Sequence, residues 1–257
     1  MDNQNICYEQ PLNERVRVLL RLEFLFEQFH FFLNQESAWA SRSALQALFE
    51  ILNLTARSDL KSELRKELDR HGNALNRLRK TEGVDTQTLN TVLDEVHEAS
   101  TRIQQTDTVA LEDVRQNDFL GSIRQRSVIP GGTCLFDLPG LHHWLLRDAA
   151  VRQEHLRHWI VPFTPWQQGV QLVLRLIRNS AVSSTESAEN GFFQRSLDSN
   201  APSQLIRVAL AAPSTVFPEI SGGRHRFAIR FMEQNDPDQR PAQTPETVSF
   251  RLTCCVI

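Results

Sequence analysis

Lysine, paired cysteines and the short motifs of common enzymes are scarce or missing in this sequence. Only three of the 28 basic residues are lysine, namely Lys61, Lys66 and Lys80. The four cysteines form no CxxC pair and show no spacing typical of a disulfide framework. No GxSxG nucleophile elbow, Walker loop or GxGxxG turn is present. These absences argue against the familiar hydrolases and nucleotide-binding enzymes, so we expect a protein that binds a partner, with no catalysis and no cofactor.

Four histidines lie close together in the sequence and raise the question of a metal site. They are His142, His143, His155 and His158. Their spacing matches no standard zinc pattern, and Cys134 has no second thiol nearby. We therefore interpret them as surface or packing residues and predict no bound metal.

The sequence contains no membrane-spanning or secretory pattern. Residues 1–14 have neither a basic region nor an apolar region of the kind found in signal peptides. The longest apolar stretch, residues 18–33, is interrupted by Arg21, Glu23 and Glu27 and is unsuited to a bilayer. We expect a cytoplasmic protein with no membrane partner.

Composition is that of a soluble globular protein of one or two domains. The 257 residues are 40% hydrophobic and 23% charged, with a net charge of −3. The charge is uneven, because residues 1–116 contain 14 basic and 19 acidic side chains and residues 117–257 contain 14 and 12. Nothing in this balance indicates a general nucleic-acid binder.

Apolar residues at helical spacing dominate the first 115 residues. Asn13 is placed to cap a helix that ends near residue 33, and a second helix is predicted over residues 43–52. A third helix is predicted from Ser58, and Asp85 is placed to cap a fourth. Such stripes are typical of the core of a helical bundle.

The pattern changes after residue 115. Residues 133–136 are predicted as a strand, and short helices are expected at 141–145 and 152–159. A further helix is predicted to begin with Thr164 as its cap and Pro165 as its first residue. Strands are predicted near 205–211, 224–232 and 247–256, whereas residues 181–204 are polar and are assigned no element. Helices followed by strands predict an α+β protein with two segregated parts.

The strand at 224–232 has an unusual distribution of charge. Because side chains alternate along a strand, Phe227, Ile229 and Phe231 share one face. The opposite face holds three arginines and no acid, namely Arg224, Arg226 and Arg230. A guanidinium group suits bidentate recognition of carboxylate or phosphate, so this face is a candidate docking site for an anionic partner. The alternative is a solvated outer face on which the arginines pair with nearby acids.

Several short segments, taken in order, resemble the ZapD family of Z-ring-associated cell division proteins. They are Pro11-Leu-Asn-Glu14, Arg21-Leu-Glu-Phe-Leu25, Lys66-Glu-Leu-Asp-Arg70, Arg124-Gln-Arg126 before Ile129-Pro-Gly-Gly132, Phe136-Asp-Leu-Pro139, Asn190-Gly191, Ile220-Ser-Gly222 and Arg226-Phe-Ala-Ile-Arg-Phe-Met232. The resemblance runs nearly end to end.

The resemblance implies a fold and a role. The fold is a helical domain plus an antiparallel β-sandwich-like domain, assembled as a symmetric homodimer. We expect residues 1–116 with about 151–180 to form the helical domain, and about 117–150 with 181–257 to form the β domain. The implied role is non-enzymatic: to bind the C-terminal tail of FtsZ and to cross-link and bundle FtsZ protofilaments at the midcell division ring.

The resemblance also implies a basic binding surface. It corresponds to Arg21, Arg57, His142, Arg226 and Arg230, and strand parity adds Arg224. Four of these residues have a simpler alternative role. Arg21 would form an ion pair on a helix surface, and Arg57 would lie at a helix start without a specific contact. His142 would pack beside Trp144, and Arg224 would hold a turn.

One position departs from the family pattern. Where relatives carry an arginine shortly before the Arg-x-Arg segment, this chain has Asp118. Arg115, Arg124 and Arg126 are candidates to compensate for the missing charge, and Arg124 and Arg126 are alternatively structural.

A single-stranded nucleic-acid-binding module is the competing hypothesis. It would use the arginines of the 224–232 strand with Phe192, Phe193 or Trp144 as stacking platforms. Because Phe227 and Phe231 point away from those arginines, we favour the peptide-binding function and expect no nucleic-acid partner.

Overall fold

The computed structural model describes residues 5–56, 59–198, 203–223 and 225–256. The chain divides into two compact units, Leu19–Val173 and a second unit made of Met1–Val18 with Leu174–Ile257. Helices dominate the first and antiparallel strands the second, so the predicted α+β class is confirmed. Residues 117–150, which the sequence division assigned to the β domain, lie within Leu19–Val173 because their regular segments are helices.

The helices follow one another without an intervening strand. They are α1 (Glu14–Leu33), α2 (Ala38–Thr55), α3 (Leu60–Leu78), α4 (Thr86–Gln104), α5 (Thr108–Gln116), α6 (Asp118–Ser127), α7 (Pro139–Leu145), α8 (Ala149–Ile160), a 3-10 turn (Val161–Phe163) and α9 (Thr164–Arg178). The unit boundaries fall inside α1 and α9.

Side-chain caps set the starts of several helices. The Asn13 side chain accepts a hydrogen bond from Val16 N–H at 2.9 Å, and Asp85 accepts one from Gln87 N–H at 3.0 Å, as predicted. Helix α2 begins earlier than the sequence suggested, because the Ser37 hydroxyl accepts from Ala40 N–H at 3.0 Å. The predicted start of α3 at Ser58 lies outside the described residues.

Large apolar side chains fill the interior of the helical unit. Fully buried members include Phe26, Phe29, Leu48, Ile51 and Phe163. A second group is aromatic and consists of Phe119, Trp144 and Trp159, with ring centroids 5.7–6.0 Å apart. These stripes are core, as their helical spacing predicted.

Two local predictions in this unit are wrong. Residues 133–136 form successive turns, in which Cys134 N–H donates to Gly131 O and Leu138 N–H donates to Cys134 O. Because both backbone groups of Cys134 are bonded within these turns, they are not available to pair with a strand. Thr164 is not a cap, because its φ and ψ of −55° and −42° are already helical after the preceding 3-10 turn.

The strand unit contains two antiparallel sheets. Its strands are β1 (Asn5–Pro11), β2 (Ser184–Ala188), β3 (Phe192–Ser196), β4 (Leu205–Ala211), β5 (Val216–Gly222), β6 (Arg226–Glu233), β7 (Ala242–Gln243) and β8 (Val248–Cys255). One sheet has the order β1-β4-β8-β2 and the other β3-β6-β5, with β7 pairing the end of β6.

The two sheets share one hydrophobic core. Ile206, Val208 and Phe250 of the first sheet lie in the same buried cluster as Phe227 and Phe231 of the second. The rings of Phe250 and Phe231 are 5.0 Å apart between centroids. The predicted β-sandwich is therefore confirmed.

Strands β1, β2, β3, β5 and β7 were not predicted. Asn190 and Gly191, with φ of 50° and 67°, form the tight turn between β2 and β3 that has positive φ at both central residues. A Cβ on Gly191 would lie 2.6 Å from Thr244 O, so both the backbone angle and the close approach require glycine here.

Candidate functional site

Strand β6 separates apolar from basic side chains as the sequence predicted. Phe227, Ile229 and Phe231 are 2%, 0% and 0% exposed and belong to the sandwich core. Arg226 and Arg230 are exposed on the outer face. The separation follows from the two-residue period of the strand.

Side chains of the neighbouring strands surround the two arginines with one aromatic ring and several polar groups. Phe192 of β3 lies opposite Arg230, and Ser196 lies opposite Arg226. On the other side, Glu219 of β5 lies opposite Arg230. The result is an open groove of about 790 Å³, which we call the outer groove; it is lined chiefly by Phe192, Gln194, Ser196, Ser221, Arg226 and Arg230.

The arginines of the outer groove are electrostatically unpaired within the described part of the chain. The guanidinium groups of Arg226 and Arg230 make no salt bridge or hydrogen bond to any residue that the structure describes. By contrast, Glu9 of β1 binds both Arg178, at 2.8 Å, and Arg207, at 2.8 Å. Neither Arg226 nor Arg230 therefore forms an ion pair with an acid among these residues, although Glu219 lies opposite Arg230 in the ladder.

A third arginine at the groove is already engaged. Arg195 binds Glu186 at 2.8 Å, and its guanidinium lies 5.2 Å from the centre of the Phe193 ring. Hydrogen bonds from Ser184 and then Arg195 hold the pKa of Glu186 below its usual value. The charge of Arg195 is therefore already paired. The unpaired positive charge of the outer groove comes from Arg226 and Arg230.

The thiols of Cys254 and Cys255 are held in the protonated form. Burial raises the pKa of the Cys255 thiol to about 12 and raises that of Cys254 as well, so neither is a ready nucleophile. Within the ranges that the structure describes, no three His, Cys, Asp or Glu side chains are grouped so as to hold a metal ion.

Two of the predicted site residues belong to the helical unit. Arg21 is exposed on α1 and makes no ion pair with a described residue; Glu14 and Arg17 of the same helix form one, at 2.8 Å. His142 is half-buried on α7, where Trp144 lies in the core and donates its indole N–H to His155 at 3.0 Å. Sequence alone had left open whether Trp144 was exposed.

The remaining two predicted site residues, Arg57 and Arg224, lie outside the described residues. The structure therefore brings Arg226 and Arg230 together in one groove and describes Arg21 and His142 in the other unit.

Asp118 is exposed at the first position of α6. Of the three candidates for compensation, Arg115 lies 3.6 Å from Glu112 and donates to Thr55 O at 2.8 Å. Arg126 lies 3.7 Å from Asp137. Arg124 makes no such contact with a described residue, so its charge is the one available at this surface.

A groove in the helical unit was not predicted from the sequence. Trp39 is 77% exposed at the start of α2, with the Arg42 guanidinium 5.4 Å from its ring centre. Both line a cavity of about 750 Å³ that also includes Arg124, Val128 and other residues before α7.

Gln194 was not named from the sequence, and Phe192 was named only for nucleic-acid binding and was not placed on a strand. They lie in the polar segment that was assigned no element. The Asn-Gly dipeptide before them is a strong hairpin signal, and it would have revealed β3 and the side chains on its outer face.

None of the helices in the described part of the chain is long and apolar enough to span a bilayer.

Comparison with known proteins identifies the family. Residues 20–230 match the family model "ZapD: Cell division protein". A cell division protein ZapD of Methylococcus capsulatus is 44% identical over 257 residues, covering all of both chains. Those of Chromobacterium violaceum and Nitrosomonas europaea are 37% and 38% identical over 250 residues, covering 97% of this chain and 99% and 95% of theirs. The chain therefore belongs to the ZapD family of cell division proteins.

Proposed function

We propose that this protein binds the C-terminal tail of FtsZ and, as a homodimer, cross-links and bundles FtsZ protofilaments to stabilise the division ring. The observation that supports this most directly is the pair of unpaired arginines, Arg226 and Arg230, on an exposed face beside Phe192. Cation and apolar surface together suit a short peptide with carboxylates and a few apolar anchors.

The proposed binding surface includes the other predicted residues. Arg21 of the helical unit, with Arg57 and Arg224, would add positive charge for the tail, and the imidazole of His142 would add a polar contact. The role is non-enzymatic, and its site in the cell is the cytoplasm at midcell.

A dimer explains how weak single sites would act on a filament. Polymerised FtsZ presents its tails as a dense array, so a protein with two sites gains affinity from effective concentration once the first tail is bound. Occupation of tails on two neighbouring protofilaments by one dimer would then link them.

Sedimentation of FtsZ filaments tests this function. FtsZ is polymerised with and without the full-length protein, and FtsZ that lacks its C-terminal tail is the matched control. We expect more pelleted FtsZ only when the tail is present. Equal pelleting with tail-less FtsZ, or no effect on intact FtsZ, would overturn the proposal.

Nucleic-acid binding is supported less well. Of the aromatic platforms that it requires, Trp144 is buried and Phe193 packs against Phe227 and Phe250 in the sandwich core. Phe192 remains beside Arg230. A steep salt dependence of oligonucleotide binding would support this function, and no binding at low salt would exclude it.

A further inference from the structure

Strand β3 is an edge strand whose backbone is open on one side. It pairs only with β6 among the described strands. At the two ends of this ladder, Phe231 N–H donates to Gly191 O and Leu197 N–H donates to His225 O, both at 2.8 Å. In an antiparallel ladder the hydrogen-bonded residues alternate, so the odd-numbered residues of β3 face β6.

The even-numbered residues of β3 therefore direct their backbone groups away from the sheet. The N–H groups of Gln194 and Ser196 have no backbone partner among the described residues, whereas Phe192 N–H donates to Glu189 O at 3.0 Å. Both side chains are exposed. Unpaired groups in such a row are a template for another strand.

The opposite edge of the same sheet is partly blocked. Gly223 N–H donates to Arg226 O at 3.0 Å, which turns the even-numbered residues of β5 toward that edge. Pro218 has no N–H to offer there. The Ser214 hydroxyl occupies both backbone groups of Val216, accepting from its N–H at 3.3 Å and donating to its C=O at 2.7 Å. Pro218 and Ser214 therefore interrupt pairing at that edge, whereas no such interruption is described at Gln194 and Ser196 of β3.

The side chains beside the open edge select for negative charge. Phe192 is 38% exposed on the outer face, and Arg226 and Arg230 lie on the next strand. Because neighbouring strands are about 4.8 Å apart, a strand added to β3 would lie roughly 10 Å from β6. The side chains of the added strand on the outer face would contact Phe192. Carboxylates among them would meet the side chains of Arg226 and Arg230 if these extend across β3.

We propose that an acidic peptide binds in extended conformation as an additional strand on the free edge of β3. The inference rests on the proposed function, in which that peptide is the FtsZ tail, and it specifies the backbone pairing by which the tail is held. The partner's side chains would alternate, with acidic residues on the outer face toward Arg226 and Arg230.

Proline substitution in β3 tests the pairing in the full-length protein. Gln194→Pro removes the outward N–H without disturbing the bonds to β6, because Gln194 faces the free edge. The matched control is Gln194→Ala, which removes the side chain and keeps the N–H. With a fluorescent FtsZ-tail peptide, we expect the Kd of Gln194→Pro to be about tenfold or more higher than that of Gln194→Ala, because the two variants share the loss of the side chain and differ in the N–H.

Backbone methylation of the peptide provides a second test that needs no protein variant. Two versions of the tail peptide have N-methyl groups at alternate residues, one at odd and one at even positions. Strand addition predicts that only one version loses affinity, because only every second N–H of the peptide faces β3. Equal binding of both versions would overturn the proposal, and this result decides the question if Gln194→Pro does not fold.

The outcomes separate the binding mode from the function. Wild-type protein that binds the unmodified peptide, with Gln194→Pro binding equally well, would refute strand addition and leave the proposed function standing. Failure of wild-type protein to bind the peptide would refute both.

Discussion

Phe192 and Arg230 are direct cross-strand partners between β3 and β6, and both side chains face outward. Side chains opposite one another on neighbouring strands lie about 5 Å apart at Cβ, so the ring and the arginine side chain form one continuous surface. Since this guanidinium has no partner among the described residues, a ligand carboxylate can bind it while an apolar group contacts the ring.

Reversal of charge at β6 should abolish binding of the FtsZ tail. Arg226→Asp or Arg230→Asp places an acid where we propose that the ligand carboxylate binds, and we expect affinity to fall by about 30-fold or more, roughly 2 kcal/mol. Fluorescence anisotropy measures binding, and circular dichroism checks the fold.

Arg240→Asp is the matched control for that reversal, because Arg240 is an exposed arginine in the loop after β6. An equal loss of affinity in this variant would point to net charge and not to the outer groove. Loss of the circular dichroism signal in the β6 variants would show that Arg226 and Arg230 are structural.

A charge on the inner face of the same strand should unfold the sandwich. Ile229 is fully buried, so Ile229→Asp leaves an unpaired carboxylate in the core and should cost several kcal/mol. Ser249→Asp is the control, because the Ser249 side chain on β8 is exposed, and it should leave the thermal unfolding temperature nearly unchanged. A cooperative native-like transition for Ile229→Asp would contradict the burial of this face.

Substitution of Gly191 should loosen the β2–β3 turn. Gly191→Ala introduces a Cβ at a positive φ and 2.6 Å from Thr244 O, so we expect about 1–3 kcal/mol of destabilisation in urea unfolding. Gly140→Ala is a control, because a Cβ there meets no atom within 4 Å. Equal effects of the two substitutions would argue against a special role of the turn.

Acidification should destabilise the protein partly through His71. Burial and, second, the neighbouring Arg70 lower the pKa of His71 to about 4 from the ordinary 6.5. The unfolded chain therefore binds a proton at a higher pH than the folded chain. Stability is lost as the pH falls from about 6.5 to about 4, by at most about 3 kcal/mol for this group.

Denaturant unfolding of His71→Leu at pH 7 and pH 4.5 measures that contribution. We expect the difference in unfolding free energy between the two pH values to shrink relative to wild type. The exposed His97→Leu should keep the full difference. An unchanged difference in His71→Leu would assign the acid sensitivity to other groups.

Restoring a positive charge at position 118 should strengthen tail binding. Asp118→Arg replaces an exposed acid with the residue type that the family resemblance implies, and we expect several-fold tighter binding. The cost is a cation at the start of α6, about 0.3–1 kcal/mol of stability. Asp113→Arg is the control for net charge, because Asp113 is an exposed residue of α5. An equal gain in affinity there would refute a specific role of position 118.

Much of the local structure was predictable because its causes are local. Asn13 and Asp85 identified helix starts, since a capping side chain bonds an amide two or three residues ahead. The alternation of Phe227 and Ile229 with the arginines of β6 identified the buried face before any partner strand was known. Residues 130–133 form turns, and the strand expected at 133–136 did not form.

Strands that depend on distant partners were the least predictable part. Strand β1 pairs with the distant strand β4, as in the register Asn5 with Ala211. Nothing within a short window distinguishes such a segment from a loop. Strands β2 and β3 are five residues each and mostly polar, so their hydrophobic alternation is weak.

By itself the sequence determined the α+β class, most helices, the buried and basic faces of β6 and, through ordered motifs across its length, the family. Only the tertiary structure decided that Arg226 and Arg230 lack a partner among the described residues, that Phe192 stands beside Arg230, and that β3 leaves Gln194 N–H open while Pro218 interrupts the other edge. The reason is physical: capping and side-chain parity act over a few residues, whereas ion pairing and strand order depend on which distant segments the folded chain brings together.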